Sequence, residues 1–214
     1  MLVRLAGMVL WVAVLLVPLF SQLQAVETGD GPSKFISLLA ERAMAILAEK
    51  DVSNEKRHKK FRKLFNEAFA AKGIGKFVLG RHWRAATLDE RAEYLVLFED
   101  QIVNTWADRF SDYSGNQFEV KSSKPVNPLS PNKNVAFVES TFWMDPQSAI
   151  QVDWRVASNN TVYKITDIYV EGVSLANTYR AEFASAIRRA GGTVEGLLQV
   201  MRDRRDGMVQ PTAP

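Results

Sequence analysis

The apolar residues of this chain change their spacing twice, and that limits the folds open to it. Up to about Tyr113 they recur at helical intervals. From Gly115 to Val170 they alternate, and after Ser174 the helical interval returns. Helices, then strands, then helices segregate as an α+β arrangement, because a βαβ alternation is absent. A helical part over about 33–113, a sheet over about 117–170 and closing helices over about 174–206 follow.

Within the first block, Lys34 to Lys50 carries Phe35, Leu38, Leu39, Ile46 and Leu47 on one stripe. Ser53 caps a second helix with Phe61, Leu64, Phe65, Ala68 and Phe69 inward. Gly73 and Gly75 are expected to break it, with a short helix from Gly75 to Trp83. Thr87-Leu88-Asp89-Glu90 is a capping box. It opens a long helix to about Tyr113 whose apolar face, widened by Tyr94, Leu97 and Val103, needs cover on more than one side.

In the second block Phe118–Ser122, Asn134–Met144, a strand around Ile150–Val156 and Thr161–Val170 form an antiparallel meander. Pro125, Pro128 and Pro131 mark a loop, and Asn159-Asn160 a tight turn. Alternation of Ile150, Val152, Trp154 and Val156 with Gln151, Asp153 and Arg155 gives one face to water. Ser174 and Thr193 open the closing helices, Gly191 stops the first, and residues 208–214 form a flexible tail.

The N-terminus reads as a secretory signal peptide: Arg4, an apolar run from Leu5 to Phe20, then small and polar residues to Ala25. An uncleaved anchor is the other reading, though the run falls short of the roughly 20 residues a span needs. Cleavage after Ala25 leaves 189 of the 214 residues, a single domain over 26–207. The chain has no cysteine, which excludes disulfides and a lipidated cysteine. An exported protein held by packing alone suits the periplasm. Beyond Ala25 there are 26 basic and 24 acidic residues, a balance that makes no case for nucleic acid.

Five chemistries have candidate residues in the chain. Ser174, between Gly172-Val173 and Leu175-Ala176, sits where a hydrolase elbow would place its nucleophile. No histidine follows it, and Ala176 replaces the glycine that the elbow needs, so Ser174 reads as a helix cap. His58 and His82 stand 24 positions apart without cysteine, which gives no metal site. GIGKFVLG (73–80) has Val78 where a dinucleotide loop needs glycine. Asp153, Asp167 and Glu171 on adjacent strands resemble a glycosidase pair, but Arg155 shares their face and a solvated ion-pair face is the plainer reading. Lys56, Arg57, Lys59, Lys60 and Lys63 form a basic helix face, either solvated or docking to anionic lipid or an acidic protein. What remains is an excess of apolar surface, either an ordinary core or a core built around a guest.

Two blocks, LGRHWRAATLDERAEYLVLFEDQIVNTWADRF (79–110) and YKITDIYVEGVSLANTYRAEF (163–183), strongly resemble the MlaC-type periplasmic phospholipid carriers, the toluene-tolerance family. The matching positions are Leu79, Gly80, Trp83, Arg84 and Thr87, then Asp167, Glu171, Gly172, Val173, Ser174, Tyr179, Arg180 and Phe183. Trp106 and Tyr163 are aromatic exchanges against the family's usual tyrosine and tryptophan. The resemblance implies a twisted antiparallel sheet of about four to five strands on a helical layer, with an apolar cavity between them for phospholipid acyl chains and the headgroup at its mouth. It implies shuttling between an inner-membrane ABC lipid transporter with a substrate-binding ring and an outer-membrane lipoprotein complex that maintains lipid asymmetry. It implies no enzyme activity, cofactor, metal or nucleic acid.

The expected lipid contacts are Phe65, Phe69, Leu79, Trp83, Phe98, Ile102, Trp106, Val138, Phe142, Val152, Trp154, Ile165, Tyr169 and Phe183. Arg84 and Arg180 either meet a headgroup or pair internally with Asp167 or Glu171, the second being favoured. Three alternatives stay open: a hopanoid or other lipid as cargo, a periplasmic hydrolase using Asp167, Glu171 and Ser174, and a structural adaptor whose interior is filled.

Overall fold

The computed structural model describes residues 31–49, 52–109, 117–126, 134–145, 147–159 and 161–207. The signal segment (1–25), most of the leader, Pro128 and Pro131, the stretch 110–116 and the tail 208–214 lie outside the described residues.

Seven helices and five strands are present among the described residues. The order is α1 (Gly31–Ala48), α2 (Asn54–Ala68), α3 (Ala71–Leu79), α4 (His82–Ala85), α5 (Leu88–Arg109), β1 (Gln117–Pro125), β2 (Val135–Asp145), β3 (Ser148–Ser158), β4 (Tyr163–Val170), β5 (Val173–Ser174), α6 (Leu175–Arg189) and α7 (Val194–Arg205). The strands pair in sequence order and every pair is antiparallel, so the sheet is an uninterrupted meander. The α+β architecture expected from the two changes of period is the one observed.

Local chemistry places the helix starts. The Ser53 hydroxyl accepts from the Lys56 N–H, and that of Thr193 from the Gly196 N–H at 3.0 Å. The capping box at α5 is reciprocal. Thr87 Oγ1 accepts from the Glu90 N–H at 3.2 Å, and Glu90 Oε2 from the Thr87 N–H at 2.7 Å. After α6, Gly191 and Gly192 adopt φ of 81° and 78°, conformations costly for a residue with a Cβ.

Two expectations about the first helices need correction. Gly73 and Gly75 do not break a helix; both lie inside α3. The break falls at Phe69, which is extended and bridges in parallel to Ile165 of β4. Gly75 is needed for close approach. A Cβ there would come within 2.9 Å of Leu95 Cδ2 and 3.2 Å of Phe98 Cδ1, both on α5. The bare backbone also accepts the Tyr94 hydroxyl through Gly75 O at 2.9 Å. On α1, Ile36 is fully buried whereas Leu38 is 49% exposed, a small rotation from the expected stripe.

Side chains from α3, α5, α6 and α7 pack into one closed cluster around Tyr94, Phe98, Phe183, Leu197 and Leu198. A second cluster joins α1 and α2 to the sheet through Ile36, Leu64, Ala68, Val138, Val156 and Ile165. Each stabilises the fold by withdrawing apolar area from water, at roughly 25 cal/mol per Å².

Candidate lipid site: a chamber between helices and sheet

Between the layers lies a cavity of about 790 Å³. Its wall draws on every helix and strand described except α4 and α7. The sheet contributes Phe118, Phe142, Ile150, Val152, Trp154, Ile168 and Val170. These residues share one face: Phe142 pairs with Ile150 across β2 and β3, and Ser140 with Val152. Helices α1 and α2 contribute Leu39, Met44, Leu47, Phe61, Leu64 and Phe65; α5 contributes Phe98, Ile102, Val103 and Trp106; α6 contributes Leu175, Ala176, Thr178 and Tyr179.

The few polar groups at this wall are satisfied by the protein. The indole N–H of Trp154 donates to Ser140 Oγ at 2.9 Å, and the Ser140 hydroxyl donates onward to Val152 O. Asp167, 9% exposed, accepts from the Ser174 hydroxyl at 2.6 Å and from the Ala176 N–H at 3.0 Å. A buried carboxylate held this way fixes the β5–α6 corner. Ser174 Oγ in turn accepts from the Asn177 N–H at 3.1 Å. The serine is the N-cap of α6, as the sequence implies, and its proton is committed to Asp167. The preceding hairpin turns through Glu171 (φ 50°) and Gly172 (φ 77°), the two positive values that a two-residue hairpin requires.

Of the fourteen residues expected at lipid, Phe65, Phe69, Phe98, Ile102, Trp106, Phe142, Val152 and Trp154 line the chamber. Six do not. Leu79 and Phe183 are 2% and 3% exposed inside the closed helical cluster. Trp83 packs on that cluster's outside, edge-on to Tyr94 with ring centroids 6.5 Å apart. Val138 and Ile165 are fully buried beneath α1 and α2, where protein fills the space between layers. Tyr169 stacks edge-on to Phe137, 5.2 Å away.

The displacement of Tyr169 has a backbone cause. Val156 pairs with Ile165 but Arg155 pairs with Asp167, so Thr166 is an extra residue on β4. The bulge shifts the alternation by one, and Ile168 and Val170 take the inward places that Tyr169 was given. No sequence pattern marks that bulge. Of the α1 residues that line the chamber, Leu39 and Leu47 were on the expected apolar stripe and Ala40, Ala43 and Met44 were not, and a stripe does not say whether it meets side chains or a cavity.

The expected internal ion pair is not formed. Arg180 lies over the ring of exposed Phe77, its Cζ 4.8 Å from the centroid, and Asp167 is held by Ser174 and Ala176 instead. Glu171 Oε1 accepts from the Gln151 N–H at 2.5 Å. Arg84 is exposed on α4 and neither arginine lines the chamber. On α2, Lys60 pairs with Glu49, Lys63 lies 3.9 Å from Glu67, and the Arg57 guanidinium reaches Glu49 O at 3.4 Å, while Lys56 and Lys59 are exposed.

Fold and chamber define a class: α+β proteins in which helices cup an antiparallel meander and enclose an apolar cavity. The chain belongs to the MlaC family, whose family model, "MlaC protein", matches residues 38–203. The fold is also that of a phospholipid-binding protein from Ralstonia solanacearum, solved in complex with a phospholipid. That structure aligns with a TM-score of 0.69 at 19% identity, over 82% of this chain and 97% of the other.

Proposed function

We propose that this chain is a periplasmic phospholipid carrier that holds acyl chains in the chamber between its layers. The chamber itself carries the reading. At about 790 Å³ it falls in the upper part of the roughly 300–1,000 Å³ range of ligand cavities, and its wall is almost wholly hydrocarbon. An acyl chain of about 16 carbons costs roughly 13 kcal/mol to hold in water, at about 0.8 kcal/mol per methylene. Enclosure by such a wall offsets that cost during transit. The phospholipid bound to the Ralstonia protein of the same fold and the secretory character of residues 1–25 support the same reading.

In this account Phe65, Phe69, Phe98, Ile102, Trp106, Phe142, Val152 and Trp154 touch the acyl chains. Leu79, Trp83, Val138, Ile165 and Phe183 set the chamber's shape from behind. Residues 26–207 act as one carrier domain, passing lipid between an inner-membrane ABC transporter with its substrate-binding ring and an outer-membrane lipoprotein complex. The protein acts by binding rather than catalysis.

Gentle purification, solvent extraction and mass spectrometry of the extract test the proposal. Stoichiometric glycerophospholipid is expected. A triterpenoid in its place would keep the chamber but change the cargo. Repeated absence of any lipid, with no uptake from phospholipid vesicles, would sink the carrier reading.

A further inference from the structure

The face formed by the end of α3, by α4, by the start of α5 and by the outer side of α6 gathers cations that pair with no carboxylate among the described residues, Asp89 and Glu90 at the start of α5 included. Among the described residues Lys76, Arg81, Arg84, Arg91 and Arg180 form no ion pair, whereas Arg42, Arg62, Arg202 and Arg205 each hold an acidic partner. Three of the five are laid on aromatic rings instead. Lys76 Nζ stands 6.0 Å and Arg91 Cζ 5.4 Å from the Trp83 centroid, and Arg180 Cζ 4.8 Å from that of Phe77.

The patch is one surface. Arg91 donates to the carbonyls of Trp83 at 2.8 Å and Arg84 at 3.3 Å, tying α5 to α4. Gly80, at φ 58°, lets Arg180 of α6 close on the α3–α4 corner: a Cβ there would sit 3.2 Å from its Nε. Exposed apolar groups flank the charge, Phe77 at 43% and Leu88 at 78%.

Uncompensated guanidinium groups beside exposed hydrocarbon fit one environment well. The charge meets lipid phosphates while Leu88 and Phe77 enter the boundary between headgroups and acyl chains. An acidic protein surface would satisfy the cations and leave Leu88 without a partner. The geometry points to this face as a docking surface for an anionic phospholipid bilayer. The inference concerns the outer surface and does not require the chamber to hold lipid.

Vesicle flotation in low salt tests it. The purified protein should float with phosphatidylglycerol–phosphatidylcholine vesicles, far less with phosphatidylcholine alone, and lose binding as salt rises. Each cation near the surface is worth about five-fold in partitioning, so R84A/R180A should weaken binding about 25-fold. L88D should weaken it with no change in melting temperature, and the K56A/K59A variant of α2 is the control of equal charge. Equal binding to both vesicle types would overturn the assignment. So would an R84A/R180A variant that binds normally while K56A/K59A does not. Salt-sensitive retention on immobilised polyglutamate without vesicle binding would give the face to a protein partner and overturn it as well.

Discussion

The two halves of α5 are made of the same kinds of residue and meet opposite surroundings. Tyr94 and Leu97 in the first half are at most 2% exposed and pressed against α3, α6 and α7, with Phe98 at the boundary reaching the chamber. Ile102, Val103 and Trp106 in the second half face the chamber. The difference comes from what covers the helix. Gly75 lets α3 approach the first half closely, and α7 is tied to it by Arg202, which holds Glu93 through two hydrogen bonds of 2.6 and 2.9 Å. Over the second half the facing layer is the sheet, and Phe142 and Trp154 line the space left between. A protein core and a ligand chamber thus differ less in composition than in how close the next backbone comes.

Substitutions can break or sharpen that contrast. Leu198→Ala, in the closed half, should lower unfolding free energy by about 2–5 kcal/mol in a denaturant titration. Ile102→Ala should cost distinctly less, about 1–2 kcal/mol, because one side of Ile102 already lacks packed neighbours. Equal losses would mean that both halves are packed alike.

Gly75→Ala pushes a methyl group into Leu95 and Phe98, and should destabilise by about 1–3 kcal/mol. Ser174→Ala removes the α6 cap and one partner of Asp167, for about 1–2 kcal/mol in the same titration. Val152→Phe adds volume inside the chamber. It should leave the melting temperature nearly unchanged while reducing co-purified lipid, whereas adding volume at Leu198 should unfold the closed half.

The smallest effect is electrostatic. Arg202, hydrogen-bonded to Glu93, holds that carboxyl below its ordinary value of 4.5. A depressed carboxylate contributes stability that is present above its unfolded value and lost as pH falls through the lower folded value. Stability should therefore decline below about pH 4.5, by under about 1 kcal/mol because the pair is partly solvent-exposed and screened. Arg202→Ala should flatten that decline in pH-dependent melting.

How much of this was legible in the sequence follows from the range of each signal. The periods of α2, α5, α6 and α7 and of the first strands, the capping box at Thr87 and the cap at Ser174 are local patterns, and they stand where the sequence places them; the helix expected over Gly75 to Trp83 is instead α3 from Ala71 and a separate α4. Gly75 was misread as a helix breaker because its reason lies on α5, about twenty residues away. The inward set on β4 was offset by the bulge at Thr166, which alternation cannot announce. Eight of the fourteen expected contacts line the chamber because aromatic residues on an inward face are easily found. Which inward face meets protein and which meets a cavity depends on distances between layers, and those are set by long-range packing.

The central claim is that acyl chains occupy the chamber, and its tryptophans report on that directly. Trp106 and Trp154 line the wall, whereas Trp83 lies outside it on α4. Loading the protein with a phospholipid brominated along its acyl chain should quench tryptophan fluorescence, and W106F/W154F should abolish the quenching. Absence of quenching in the loaded wild-type protein, or quenching that survives in W106F/W154F, would contradict the account.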